Sequence, residues 1–407
     1  MENTTQKHEI LSRALGLKPK IEALNAAVAG QFVQREQIVL AFWLAIIADR
    51  ASFLFGPPGV AKTAVTSFLS KLVKGMIFYE ELMPVVVSPE QLIVGETALT
   101  ERQNADGSKS VSVTNKLGLA ACAHLVALDE IWKAQPAVLK VLFDLLLADG
   151  VRLGGQFFET PTLGVLAASN ELPEPGNQLE ALWARMAFRF DVRPLDRAGK
   201  LQMLKKRLVQ SRNGNGGHAA QPMALEDLNA LQGARPHVEV SDEIFGLVLD
   251  IYEALVHEDS EGFSWLWADD RRLDMVREGL QAHALIHGRA AVTKADLAVL
   301  EFMLWNDLEQ ISKVRAAIAP FIRTPESEAR ELVDSLMAAG GTVADFLSSG
   351  NHNKATGAIE QCNESIVALE ELASTAGADE PAVRSMIDEV KTAKQAVIDI
   401  FSGKRHT

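Results

Sequence analysis

The chain has 407 residues, of which 48% are hydrophobic, a composition that fits a globular protein of two or three domains with a sizeable core and excludes a disordered chain. Its net charge is −13 and its Lys and Arg residues are scattered, so no nucleic-acid footprint is visible and the acidity speaks to solubility. Cys122 and Cys362 lie far apart without metal-ligand spacing, the pattern of buried thiols in a reducing cytoplasmic compartment; the polar amino terminus and a longest apolar run of Ile38 to Ala48 read as neither signal peptide nor membrane span.

In chain order, Ile10 to Val28 reads as an amphipathic helix and Gln34 to Arg50 as a second, mostly apolar one. Between them Gly30 to Arg35 forms a bend, placed where an adenine could be sandwiched. Ala51 to Phe55 favours a strand and Ala64 to Val73 a helix. They flank Gly56-Pro57-Pro58-Gly59-Val60-Ala61-Lys62-Thr63, which is the context of a phosphate-binding loop. Gly56 and Gly59 let backbone N–H groups bend around phosphate oxygens, and the helix N-terminus adds its positive dipole end. The Lys62 ammonium reaches the outer phosphates, and Thr63 is left to ligate Mg2+. Ala61 stands where the pattern has Gly, a substitution expected to cost little only if φ is negative there.

Met76 to Glu81 and Pro84 to Val87 read as short strands, and Ser88-Pro89-Glu90 as a helix start. Thr97 to Arg102 and Ser108 to Thr114 read as strand arms around the turn signal Gln103 to Gly107. The apolar run His124 to Leu128 then reads as a buried parallel strand ending in Asp129 and Glu130. Adjacent carboxylates at such an end suit a nucleotide site: Asp129 can hold Mg2+ through water, and Glu130 can orient and deprotonate an attacking water. A helix over Pro136 to Ala148 and a hairpin over Val151 to Glu159 follow. Leu163 to Ser169 is another buried strand, ending in Asn170, whose amide can hydrogen-bond the attacking water or the γ-phosphate. Leu195 to Leu208 reads as a helix, Ser211 to Gln221 as a loop or tether, and Ser241 to His257, Asp270 to His287 and Thr293 to Asn306 as amphipathic helices. Gly288 suits a left-handed cap.

The ordered series GPPGVAKT, ALDEIWKA, AASNELPE, LEALWARM and DDRR resembles the MoxR branch of the AAA+ ATPases, most closely its RavA-type members, over broadly residues 25 to 312. The resemblance implies an α/β fold: an αβα nucleotide domain with a mostly parallel sheet, an all-α lid and, beyond it, a helical extension. The corresponding expected domains are 1–194, 195–312 and 313–407. Ala before the loop Lys is usual in that branch. The resemblance implies ATP and Mg2+ as ligands, with Val33 at the adenine and Gly56, Pro57, Pro58, Gly59, Val60, Ala61, Lys62, Thr63 and Ala64 around the phosphates. Asn170 matches the sensor 1 position. Arg185 matches the arginine finger, although Ala184 stands where an acidic residue is common, and Arg189 is a nearby second candidate. Arg271 matches sensor 2, with Arg272 as the alternative. The arms at Thr97 to Thr114 resemble the helix-2 insert of the branch, and Val151 to Glu159 its pre-sensor 1 hairpin. A guanidinium aimed at the equatorial oxygens of a phosphoryl transition state is worth roughly 10³ to 10⁵ in rate; a rim Arg in an ordinary ion pair is worth about 0 to 1 kcal/mol.

What the resemblance implies is an ATP-hydrolysing ring motor, usually a hexamer, that remodels a protein client, commonly with a partner carrying a von Willebrand factor A domain. The alternatives are the motor subunit of a metal-insertion complex, as in magnesium chelatase, and a nucleotide-switched scaffold with little turnover. Beyond residue 312 the resemblance ends. Residues 322–407 hold eight basic and fourteen acidic residues. Ile359, Cys362, Ile366, Leu369 and Ala373 recur at helical spacing, as do Val383, Met386, Val390, Ala393, Val397 and Ile400. Broken at Thr375 to Pro381, they read as a helical hairpin whose seam packs on the protein's own body or docks a partner.

Overall fold

The computed structural model describes residues 2–103, 109–147, 150–153, 156–174, 179–213, 223–257, 270–322, 333, 352–375 and 380–401. Five segments build a parallel sheet: β1 (Ala51–Phe55), β2 (Phe78–Leu82), β3 (Leu125–Asp129), β4 (Gly164–Ser169) and β5 (Met186–Asp191), in the order β5-β1-β4-β3-β2. All but β2 are buried nearly end to end, which is why they read as unbroken apolar runs. The edge strand β2 is half-exposed. It begins two residues later than the expected strand, and the segment expected as the next strand holds a 3-10 turn over Met83–Val85, where Pro84 can donate no ladder hydrogen bond.

The first expected helix is two, α1 (Glu2–Leu15) and α2 (Lys18–Gln31), because Gly16 ends one and Pro19 sits in the first turn of the next. Helix α3 (Glu36–Ala48) buries ten of its residues, and Ser52 Oγ donates to Ala41 O at 3.0 Å, pinning it against β1. Helix α4 (Lys62–Lys71) leaves the phosphate loop. Helix α5 (Pro136–Leu147) follows β3, and the short α6 (Leu179–Trp183) precedes β5. The two expected hairpins are present: Val94–Gln103 pairs antiparallel with Lys109–Leu117, and Gly150–Leu153 with Gln156–Glu159. Their turn signals, like most of the tether at 211–221, lie outside the described residues.

After β5 the chain is mostly helical, with α7 (Arg197–Asn213), α8 (Leu225–Ala234), α9 (Asp242–His257), α10 (Asp270–Ile286) and α11 (Gln310–Ile322), while Met223–Ala224 pairs in parallel with Val73–Lys74. Lys20 meets Asp227 of α8 at 2.6 Å. Buried Glu278 of α10 holds Arg50 at 2.6 Å and Arg235 at 3.2 Å, so the lid region is clamped to the base of β1. Gly288 has φ +72, the left-handed cap expected of it. The segment expected as a helix from Thr293 is instead a 3-10 helix, Lys294–Phe302, opened by a Thr293/Asp296 capping box.

Compact unit 1 covers Met1–Ile318, and unit 2 covers Ala319–Thr407. In unit 2, α12 (His352–Thr375) packs along α13 (Glu380–Phe401). Cys362, Ile366, Leu369 and Ala373 face Val383, Met386, Ile387 and Val390, with Val333 beside them. The described part of the heptad-like seam is therefore buried within unit 2. The side chains of Ala393, Val397 and Ile400 lie outside the described ones.

Candidate nucleotide site

The loop after β1 is shaped by close approach. A Cβ on Gly56 would sit 2.3 Å from Val192 O, so only glycine fits while Gly56 N donates to Ser169 O at 3.1 Å. Ala61 has φ +68, the left-handed region. The condition under which Ala would cost little there is thus not met, and an L-residue held in this region costs about 1–2 kcal/mol. Gln34 (φ +51) and Glu130 (φ +54) are held likewise. Lys62 begins α4 and is buried, its ammonium donating to Gly56 O at 2.5 Å and Pro57 O at 3.3 Å. Burial pulls the pKa of Lys62 down, while Asp129 and Glu130 oppose that pull, which places both carboxylates within electrostatic reach of the ammonium. Thr63 lies in the first turn of α4, next to Ala64. Buried Val33 lies in the bend before α3, where Arg35 Nε donates to Val60 O at 2.7 Å and so ties bend to loop.

Parallel register brings the other groups to the same edge of the sheet. Asp129 pairs with Ala168, and Phe55 with Ser169, so the loop, the two carboxylates and exposed Asn170 all emerge from the carboxyl ends of β1, β3 and β4. Asp129 Oδ1 accepts from Glu130 N at 3.0 Å. Glu130 Oε2 accepts from Lys133 Nζ at 2.9 Å, and Lys133 also lies 3.8 Å from Glu171, the residue after Asn170. Glu80 of β2 faces Asp129 as well: partial burial and that like charge push its pKa up. Sequence reasoning missed Arg35, Glu80, Lys133 and Glu171. Only Lys133 carried a usable signal, an i+3 partner one helical turn beyond Glu130.

The arginines separate sharply. Arg185, after α6, is half-buried and donates Nη1 to Ala181 O at 2.5 Å. Arg189, four residues on, is wholly buried. Its guanidinium donates to Trp183 O at 3.0 Å, Met186 O at 3.1 Å, Asn306 Oδ1 at 2.7 Å and Trp305 O, and lies 4.0 Å over the Trp183 ring. Such a group cannot reach a neighbouring subunit, which leaves Arg185 as the finger candidate. Burial pushes the Arg189 pKa well down from its ordinary value. The side chain of Arg271 lies outside the described ones, although its backbone is in the first turn of α10; Arg272 donates to Met303 O at 2.6 Å. An aromatic chain underlies these groups: Phe53 lies 5.2 Å from Trp132 and 5.1 Å from Trp183, and Trp183 lies 6.0 Å from Trp305. Beside the bend, a polar pocket of 380 Å³ is lined by Gln34, Arg35, Asp191 and Arg193 together with Ile311 and Arg315 of α11.

Residues 19–233 match the MoxR domain of MoxR-vWA-beta-propeller ternary systems, more than half of the chain, and residues 243–318 match an AAA lid domain. The chain belongs to the MoxR family. This MoxR protein is thus an AAA+ ATPase by family, with its lid spanning α9 to α11. It is similar to two uncharacterized proteins of Methanocaldococcus jannaschii, at 24% identity in each case. One alignment covers 74% of this chain and 73% of the relative, the other 78% and 80%. A crystal structure of a candidate ATPase from Cytophaga hutchinsonii superposes with a TM-score of 0.57 at 18% identity, covering 79% of this chain and 98% of that one. That likeness concerns the fold alone.

Proposed function

We propose that this MoxR protein hydrolyses ATP as a ring-forming motor, of hexameric type, that remodels a protein client in the cytoplasm. The observation that carries the reading is the convergence of Lys62, Asp129 and Glu130 at one sheet edge, with the loop backbone curved around the same point. Lys62 and the loop N–H groups bind the phosphates of the substrate ATP, and Val33 contacts its adenine. The donors present fit Mg2+, a hard ion that takes oxygen ligands: the Thr63 hydroxyl and the Asp129 carboxylate would hold it, and when bound it supplies charge neutralisation at the phosphates. Glu130 takes the proton of the attacking water, Asn170 orients that water or the γ-phosphate, Arg185 completes the site of a neighbouring subunit, and Arg271 reports on the phosphates from the lid. The motif series supports a RavA-type likeness, and the description of the matching domain supports a von Willebrand factor A protein as partner.

A second reading, the nucleotide-switched scaffold, is favoured by one contact: the Lys133 ammonium on Glu130 commits the carboxylate that water activation needs. Two variants and a turnover assay separate the readings. Lys62→Ala loses ATP binding, whereas Glu130→Gln binds ATP and hydrolyses it about 10²- to 10⁴-fold more slowly. Equal loss of binding in both variants would refute the division of roles. A parent rate unmoved by any von Willebrand factor A partner would favour the scaffold.

A further inference from the structure

Away from the nucleotide edge, the last turn of α10 and the residue after it carry His283 and His287, one helical turn apart and with ring centroids 4.3 Å from each other. The Nδ1 of each ring is already engaged. His287 Nδ1 lies 2.9 Å from the His283 carbonyl, which can only accept, so that nitrogen carries the proton. His283 Nδ1 lies 2.7 Å from Asp296 Oδ1. The Asp296 carboxylate is buried and also takes Thr293 N at 2.8 Å, Thr293 Oγ1 at 3.1 Å and Arg289 Nη2. Being an acceptor throughout, it fixes the proton of His283 on Nδ1 as well. In both neutral rings the lone pair is therefore on Nε2. An imidazole whose other nitrogen donates to a carboxylate or a carbonyl is the usual state of a metal ligand, oriented and made more basic from behind. Both rings line a cavity of 310 Å³ between α2, α3 and α10, whose wall also includes Asn25, Trp43 and the exposed carboxylate of Glu36. One ligand atom from each of His283, His287 and Asp296 falls within 4.8 Å of the others.

We propose that His283 and His287 form a two-imidazole site for a divalent transition-metal ion of the Zn2+ or Cu2+ class, its remaining positions filled from the cavity by water or Glu36. Imidazole selects such ions over Mg2+, so the site is chemically distinct from the oxygen ligands of the phosphate edge. Asp296 is a positioning residue, since four donors already occupy its oxygens. Nitrogen–metal distances of about 2.0–2.1 Å are reached by small adjustments of the exposed His287 ring that keep its Nδ1 on the His283 carbonyl, while Asp296 holds His283 still. The same cavity wall includes Arg35, whose Nε holds Val60 O of the phosphate loop, so the proposed ion would share a cavity with a side chain that supports that loop.

The test uses the full chain and ZnCl2, titrated in competition with a chromophoric zinc chelator. We expect one Zn2+ per chain, at least tenfold weaker binding in His283→Gln and in His287→Gln, and unchanged binding in His237→Gln. Asp296→Asn weakens binding about 10- to 100-fold. Circular dichroism checks each fold, and electron paramagnetic resonance of the Cu2+-loaded parent chain provides a readout needing no variant, with splitting from two nitrogen donors whose g values shift in Asp296→Asn. Zn2+ binding that survives both histidine replacements, absence of saturable binding, or a Cu2+ spectrum without two nitrogens would each overturn the proposal.

Discussion

The nucleotide edge and the carboxyl-terminal hairpin are built on opposite terms. In the hairpin the described apolar residues of the seam meet one another at helical spacing, and Leu369 and Val383 are fully buried, neither with a positive φ. At the nucleotide edge three of the four non-glycine residues with positive φ among the described residues gather: Gln34, Ala61 and Glu130. Each costs free energy that the surrounding sheet must offset, as residues in sparsely populated backbone regions do at ligand sites. The hairpin is stable by obeying local rules, whereas the candidate site gathers residues that long-range register holds against them.

The largest effect that sharpens this contrast is expected at the two neighbouring arginines. Arg185→Ala should bind ATP normally and hydrolyse it about 10³-fold more slowly, with part of the activity returning when it is mixed with Lys62→Ala protein. Arg189→Met should instead unfold at lower temperature, since losing charge-assisted bonds to buried acceptors costs about 3 kcal/mol or more. If mixtures fail while light scattering shows assembly, Arg185 does not act across a subunit boundary. In the hairpin, Leu369→Ala should cost about 2–5 kcal/mol, read as loss of hydrogen-exchange protection in residues 352–401. Phosphate release should stay within a few-fold, both there and on deletion of residues 322–407. The deletion should also weaken partner binding in a salt-sensitive way, because exposed charges are screened over about 10 Å at 0.1 M salt; inactive monomers would make the hairpin an assembly element.

Smaller changes probe the edge itself. Lys133→Met frees the Glu130 carboxylate and should raise basal phosphate release a few-fold; a fall would mean that Lys133 serves the reaction rather than restraining it. Ala61→Gly removes a left-handed cost of about 1–2 kcal/mol and adds roughly 0.5–1 kcal/mol of glycine entropy. A net gain of roughly 0–1.5 kcal/mol should raise the melting temperature by at most about 2 °C, and a decrease would show that position 61 is not left-handed in solution.

The sheet and the loop were legible because their signals are short-range: an unbroken apolar run, a Gly-Pro-Pro-Gly turn, an Asp-Glu pair. Arg189 was not, since its acceptors Trp305 and Asn306 lie more than a hundred residues further along. The dihedral at Ala61 stays open in the sequence because residue type limits φ without choosing it, and the loop geometry sets it in the left-handed region. Likewise the segment after Thr293 has a helical pattern, but Asp296 at its start takes the Thr293 amide and hydroxyl together with His283 and Arg289 from α10 and the turn beyond it, contacts that no local periodicity announces.

The aromatic chain beneath the site has an optical consequence. Trp132 lies two residues past Glu130, Trp183 two before Arg185, and Trp305 in the lid, with Trp132 and Trp183 only 5.8 Å apart by ring centroid. Indoles in contact share excitation energy, so ultraviolet light absorbed by any of the three is emitted from whichever environment is lowest in energy. Intrinsic emission from these three indoles follows the end of the Glu130 strand, the turn before Arg185 and the lid together, so a stopped-flow change in it on adding ATP would report on all three at once with no dye attached.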